Sequence, residues 1–393
     1  MRATTRPLAG SFDLNAFAGG DGVLFVRDGV GLAGRGEAAR VPVDRVGEVL
    51  AAIERDDTVG QPGCGPVALG VLPFVPGARA EFIVPAVLIG KGPDGHRWIT
   101  TIDDTSAEVV QLPPPRASAG EFRVRPLTAI DEYLRYVAAG RDAVRAGGIT
   151  KVVLARDIVV ESADPIDVHA VLLRLRASFG SSYRYSIDGF VGASPELLVA
   201  RHGDVCRSHP LAGTAARTGD PETDARLASE LMASTKNQIE HRIVIDVVHD
   251  TLLPYCSYLD WEPDPSIVRV ANVQHLGTLI EGRFSDPAPS VLDLARLLSP
   301  TPALGGHPRA AALALIDELE PFERGRYGGA VGWVDADGNG SWAVGIRCAE
   351  LTADRRQARL FAGGGIVADS DPVAELAETQ AKLQAMLSAI VRP

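Results

Sequence analysis

The 393-residue sequence predicts a mixed α/β (α+β) fold, and three observations carry that expectation. The first 120 or so residues read as short strands and loops. Regions 182–215 and 327–367 read as successive strands joined by turns, and helical periodicity is confined to a few long stretches.

Near the N-terminus the strand candidates are GVLFV at 22–26 and EFIVPAVLIG at 81–90. The run Leu112–Pro115, LPPP, predicts a linker, because three prolines fit neither a helix nor a central strand. A helix follows from about Ala129 to Ala146, with Ile130, Leu134, Val137, Ala138 and Val144 near helical spacing. Gly147 and Gly148 break it, and KVVLARDIVV opens a strand at Lys151. SYRYSID, GASPELLVARHGDV and CRSHPLAGT supply the strands of 182–215. One long helix is predicted over Glu222–Leu252 and shorter ones over Val291–Leu298 and His307–Leu319. Tyr327–Val367 reads as three strands turning at DADGNG and TADRRQ. The last helix begins near Pro372, a natural first-turn proline, and runs to about Ile390. No repeat of fixed period and no low-complexity segment stands out.

The composition, 46% hydrophobic and 23% charged, is that of a soluble globular protein. The net charge is −11 with no basic block, which argues against a nucleic-acid partner. An acidic protein that takes an anionic ligand needs local positive charge, so single Lys and Arg residues inside motifs become informative. Cys64, Cys206, Cys256 and Cys348 are far apart and form no CxxC pair, so buried thiols are expected rather than a zinc site or disulfide framework. No long apolar leader and no window of 18 apolar residues occurs, so a cytoplasmic protein without membrane contact is expected.

Two motifs are decoys. Asp335, Asp337, Asn339 and Gly340 match the opening of a calcium loop, but the twelfth position is Ile346 where a bidentate Glu is needed. A hairpin turn is the better reading. Gly363-Gly364-Gly365 lacks the GxGxxG spacing of a dinucleotide turn.

Several charged residues sit where charge is costly. Glu240 enters the apolar helix segment RIVIDVV; it either pairs with Lys236 four residues earlier on a solvated face or is buried and needs a cation. Glu375, Glu378 and Lys382 share a face of the final helix, as a surface ladder or as a carboxylate ligand beside a cationic group. Lys151 opens an apolar strand; in a desolvated pocket such a lysine has a lowered pKa and can act as a base. Arg347, within VGIRCAEL, reads as an arginine in an apolar strand that needs a carboxylate partner.

Taken in order, KVVLAR (151–156), GASPELL (192–198), HPLAGT (209–214), NQIEH (237–241), VQHLGT (273–278), SPTPALGG (299–306), ELEPFERGRYGGAVGW (318–333), GIRCAEL (345–351), FAGGGIV (361–367) and AETQAKL (377–383) resemble the chorismate-utilising enzyme family. The motifs span about 120–390. The resemblance implies two antiparallel sheets packed together, helices outside, and an active site in the cleft between them. It also implies one structural domain, in which an N-terminal subregion, 1–118, completes the fold of the catalytic region 119–393.

Three positions resemble isochorismate synthases. Lys151 stands where water-adding members carry a lysine and ammonia users usually carry Gln. Ala212 stands where aminodeoxychorismate synthases often have Lys, and Ala303-Leu304 differs from the Thr-Ala-type sequence of salicylate synthases. Ser299 departs from the usual His, and Tyr327 is the residue more often seen in salicylate synthases. A salicylate synthase, which also eliminates pyruvate, is therefore the alternative; an anthranilate-synthase-like aminating subunit is disfavoured by Lys151.

The resemblance also assigns roles. Glu240 and Glu378 would hold one Mg²⁺, with Glu375 supporting them directly or through water. Lys151 would activate water and Glu196 would protonate the departing hydroxyl. Arg347 and Lys382 would hold the enolpyruvyl carboxylate, and Tyr327 would add a hydroxyl donor. The backbone at Gly364 and Gly365 would approach the substrate closely, since no Cβ intervenes. Thr214 and His275 would orient a ring hydroxyl or the metal's surroundings, and Ala303 and Leu304 would contact the ring. The implied partner is the small molecule chorismate, bound by a monomer.

Overall fold

The strands read from the sequence pair into two large sheets of thirteen and nine strands and a small one of three. The computed structural model describes residues 1–103, 105, 120–270 and 272–392. The expected Leu112–Pro115 linker lies outside them. Among the described ladders only Arg2–Pro7 and Glu54–Asp57 run parallel.

The thirteen-stranded sheet is built on Lys151–Ser162, whose β-branched run favours an extended, buried strand. It pairs antiparallel with Gln357–Ile366, from Val152 opposite Ile366 to Glu161 opposite Gln357. Strands of the first 102 residues enter both large sheets. Val23–Arg27 pairs with Tyr183–Ile187 in one, and Val67–Leu72 pairs with Ala330–Asp335 in the other.

Phe25, Leu32, Leu69, Phe190, Val331, Trp333 and Phe361 form one apolar layer between the two sheets. Helices cover the outer faces, through Leu14, Leu172 and Leu383 on one side and Val46, Val244 and Leu292 on the other. The expected pair of packed antiparallel sheets is present. A third sheet, of Leu211–Ala216, Val273–Gly277 and Ser266–Arg269, adds to it.

The helices Ile130–Ala146, Val291–Leu298, Arg309–Leu319 and Pro372–Val391 lie where the sequence placed them. DADGNG is a hairpin turn: Asp335 Oδ1 accepts from the backbone N–H groups of Asp337 and Asn339, each at 2.9 Å. Cys64, Cys206 and Cys348 are buried, whereas Cys256 is only half-buried; all four are free thiols.

Two expectations need correction. The single helix over Glu222–Leu252 is two, Pro221–Ala233 and Thr235–Leu252. Ser234 breaks it with extended dihedrals (φ −75°, ψ 108°), and its side chain caps the second helix at Asn237 N. The region 327–367 holds four strands rather than three: Ala330–Asp335, Gly340–Val344, Cys348–Leu351 and Gln357–Ile366. The continuous apolar reading of VGIRCAEL hid a crossing. Val344 ends a strand of the nine-stranded sheet and Cys348 begins one of the thirteen-stranded sheet. Arg347 lies in the turn between them at φ 51°. It is not a strand residue.

A second crossing occurs in SPEL. Phe190–Ser194 belongs to the larger sheet and Leu197–His202 to the smaller, with Pro195 and Glu196 between them. The two crossings lie side by side, since Ala193 N donates to Arg347 O at 3.0 Å and Val344 N to Glu196 O at 3.1 Å. Gly192 permits this: a Cβ there would fall 2.7 Å from Arg347 O and 2.5 Å from the Tyr185 hydroxyl. Gly192→Ala should destabilise the protein by about 1–3 kcal/mol, seen as a lower urea midpoint at unchanged slope.

Candidate active site

Both crossings face one cavity of about 210 Å³. Lys151, Glu196, Thr214, Glu240, His275, Ala303, Leu304, Tyr327, Arg347, Gly365, Glu375, Glu378 and Lys382 all line it. Of the residues singled out from the sequence, only Gly364 does not. It faces the other side of its strand, where a Cβ would meet Glu375 Oε2 at 2.6 Å. Its neighbours face the cavity: a Cβ at Gly363 would sit 3.0 Å from the Tyr327 hydroxyl, and one at Gly365 2.9 Å from Lys151 Cε. A larger open groove of 890 Å³ beside Asp44, Arg79 and Arg296 holds none of these groups.

Lys151 is 1% exposed at the start of its strand, and its Nζ donates to Glu240 Oε1 at 2.7 Å. Glu240 reaches it because the Ser234 break starts a new helix that runs beside the strand Leu211–Ala216. Its partner is therefore Lys151 and not Lys236. Burial opposes ionisation of Glu240, but the charge and hydrogen bond of Lys151 hold its pKa below the usual carboxylate range. Lys236 lines the cavity instead of pairing on a solvated face. Its place four residues before Glu240, on the same helical face, was the available signal.

Glu196 is fully enclosed at its crossing. Burial pushes its carboxyl up to about 8, although Leu211 N donates to it at 3.4 Å and Lys151 and Arg347 pull the other way. The carboxyl is thus predominantly protonated at neutral pH. Glu375 is raised to about 7, by burial first and then by the like charge of Glu378. Its Oε1 accepts from the Ser370 hydroxyl at 2.8 Å. Glu378 pairs with Lys382 along the final helix, and Lys382 Nζ also donates to Gly363 O at 2.8 Å.

Arg347 has no carboxylate partner among the ion pairs of the described residues, contrary to expectation. Its Nη2 donates to His275 Nε2 at 3.3 Å. Arginine offers only donors, so His275 Nε2 accepts and Nδ1 carries the proton, which it donates to Gly213 O at 3.1 Å. Burial, together with Arg347 and Lys382, lowers His275 to about 3, so it stays neutral. Tyr327 stacks on Phe361 with ring centroids 5.1 Å apart.

The cavity lining carries four cations, Lys151, Lys236, Arg347 and Lys382, against four carboxyl groups. One of the four carboxyls, Glu196, is protonated, which leaves a positive surplus inside a protein of net charge −11. Such a cavity suits an anion. Among the described residues no helix is long and apolar enough to cross a membrane.

The family model for chorismate-binding enzymes matches residues 52–391. This chain belongs to that family. Isochorismate synthases are among its relatives. The Bacillus subtilis isochorismate synthase DhbC is 35% identical over 355 residues, 88% of this chain and 85% of its own. The Escherichia coli isochorismate synthase EntC is 37% identical over 332 residues, covering 82% and 81%. The fold is also that of the menaquinone-specific isochorismate synthase MenF of Escherichia coli, with TM-score 0.84, 24% identity and coverage of 99% and 94%.

Glu196 provides a pH test. Between about 4.5 and 8 the folded chain keeps a proton there that the unfolded chain has released, so stability falls as pH rises. The slope is up to about 1.4 kcal/mol per pH unit. Glu196→Gln removes this loss. The difference in unfolding free energy between variant and wild type should therefore widen in favour of the variant between pH 5 and 8.

Proposed function

We propose that the chain is an isochorismate synthase: it converts chorismate reversibly to isochorismate by adding water at C2 and expelling the C4 hydroxyl. The observation that carries this reading is the pairing, in one cavity, of a carboxyl kept protonated, Glu196, with a buried lysine, Lys151, beside a guanidinium free of carboxylates, Arg347. An acid, a base and an anion site are what the reaction needs.

Lys151 acts as the base in the form that has released the proton it donates to Glu240; its neutral Nζ then takes a proton from water as the water oxygen bonds to C2. The two ring double bonds each move one position and the C4–O bond breaks. Glu196 gives its proton to the leaving hydroxyl, so atoms and charge balance and the reverse reaction uses the same pair. Arg347 and Lys382 bind the enolpyruvyl carboxylate, and the fork of Arg347 can do so through two parallel hydrogen bonds. The neutral His275 orients Arg347 and, with Thr214 Oγ1 3.2 Å from its Nδ1, faces a ring hydroxyl. Ala303, Leu304 and Tyr327 wall the ring, with the backbone of Gly363 and Gly365 below it.

The donor set fits Mg²⁺ in kind. Glu240, Glu375 and Glu378 offer only carboxylate oxygens, and the like charge of Glu378 that lifts Glu375 is relieved by a divalent cation. They are not pre-assembled, because among the described residues no group of three such side chains is arranged to hold an ion. Glu240 and Glu378 would hold the metal and Glu375 would support it. When bound, Mg²⁺ supplies Lewis-acid polarisation of the substrate carboxylate.

The names of the relatives include menaquinone- and vibriobactin-specific enzymes, and isochorismate is the product their names share. The same reading takes the chain as a cytoplasmic monomer that binds neither nucleic acid nor membrane. It also takes 1–118 as completing one domain with 119–393, supported by the strands of 1–103 that interleave into both large sheets.

Incubation with chorismate and Mg²⁺ should yield isochorismate by product chromatography. Pyruvate release would instead indicate a salicylate synthase, and an aminated product with ammonia would indicate the anthranilate type. Lys151→Ala should lower turnover by at least about 100-fold while leaving Mg²⁺ binding intact. Chelation should abolish activity, and Mg²⁺ should restore it. Glu240→Gln should move the Mg²⁺ titration at least about tenfold higher, and an unchanged titration would remove Glu240 from the ligand role.

A further inference from the structure

The strand Lys151–Ser162 is paired along one edge by Gln357–Ile366, but its other edge has a gap. Lys151 and Val152 pair there with His307 and Gly306, and Ile158–Ser162 pair with Phe122–Pro126. Between these ladders, Val153 O and Ala155 N have no partner strand, and unpaired buried backbone groups are costly.

Glu320 and Arg324 stand in for the missing strand at these two atoms, as the Tyr136 hydroxyl does at Ala155 O. Glu320 Oε1 accepts from Ala155 N at 2.7 Å, and Arg324 Nη2 donates to Val153 O at 2.6 Å. They also bind each other, Nε to Oε2 at 2.8 Å, with Arg324 2% and Glu320 1% exposed. Arg324 Nη1 donates to Leu304 O at 2.9 Å. The main-chain oxygen of Arg324 accepts from Tyr327 N at 3.1 Å, and its guanidinium lies 4.2 Å from the Phe74 ring centroid. One buried ion pair thus joins the strand of Lys151, the loop of Leu304 and the turn of Tyr327, three walls of the cavity.

We infer that Glu320 and Arg324 are positioning residues, which hold the strand of Lys151 and Val153 in place against the adjoining Leu304–Tyr327 wall and so serve turnover rather than substrate binding. This rests on the isochorismate-forming reading above. The cations that take the substrate carboxylates, Arg347 and Lys382, lie on other segments that these bonds do not touch. A base displaced by about 1 Å can lose 100-fold in rate while the substrate still binds. Lysine cannot replace Arg324, because its compact head lacks the planar fork that reaches Glu320, Val153 O and Leu304 O together.

The test is a split between kcat and KM. The wild-type chain is assayed first. If it forms no isochorismate, both the functional reading and this inference fall. With wild-type activity established, Arg324→Lys keeps the charge, and the double variant Glu320→Gln/Arg324→Gln removes both charges but keeps hydrogen-bonding groups. In whichever folds, by circular dichroism and thermal midpoint, kcat per folded chain should fall at least tenfold with KM for chorismate within threefold. A kcat within twofold of wild type, or a loss confined to KM, overturns this inference alone. Failure of both variants to fold overturns it as well, by making the pair a folding element.

Discussion

The candidate site depends on two places where the chain leaves one sheet for the other. A residue in a ladder has its backbone committed and its side chain fixed to one face of the pleat. At a crossing neither holds. Pro195-Glu196 and Gly345–Arg347 bridge the two sheets side by side, and Arg347 adopts a left-handed conformation there, which costs of order 1–3 kcal/mol. In return, a buried carboxyl and a buried guanidinium are delivered into a cleft that strand alternation alone would have filled with apolar groups. The protonated Glu196, and an Arg347 with no carboxylate partner among the described residues, are consequences of that placement.

The electrostatics of the cavity follow from the same burial. Glu240 would be raised by desolvation but is held low by Lys151, whereas Glu375, with a like charge beside it, is driven up. Two carboxyls with similar surroundings therefore differ because one has a cation and the other a competitor. Lys151–Glu240 and Glu378–Lys382 pair internally, which keeps the buried charges tolerable without a ligand. Arg347, whose side-chain partner among the described residues is a neutral imidazole, keeps its charge available for an incoming anion.

Much of the fold was legible because it follows short-range rules. The β-branched run from Lys151, the proline at 372 and the Asx turn at Asp335 each specify their local conformation. The failures have a common cause. Ser234 and Gly345–Arg347 sit in stretches whose average pattern is helical or apolar, yet one capping side chain or one change of sheet decides them. The cavity residues were nearly all found through ordered motifs, because taken singly Lys151, Glu378 and Lys382 match surface patterns equally well. Gly364 was misplaced relative to Gly363 and Gly365 since a strand alternates faces and the run of three glycines does not say which face is which.

By itself the sequence determined the class of fold, the order of most elements and the set of residues that meet in one cavity, because these depend on local propensity and motif order. Only the tertiary structure decided which charges pair and which stand alone. Lys151 with Glu240 in place of Lys236, and Arg347 with His275 in place of a carboxylate, are pairings between residues 89 and 72 positions apart. Such partners are set by sheet register and helix packing, and no periodicity along the chain encodes them.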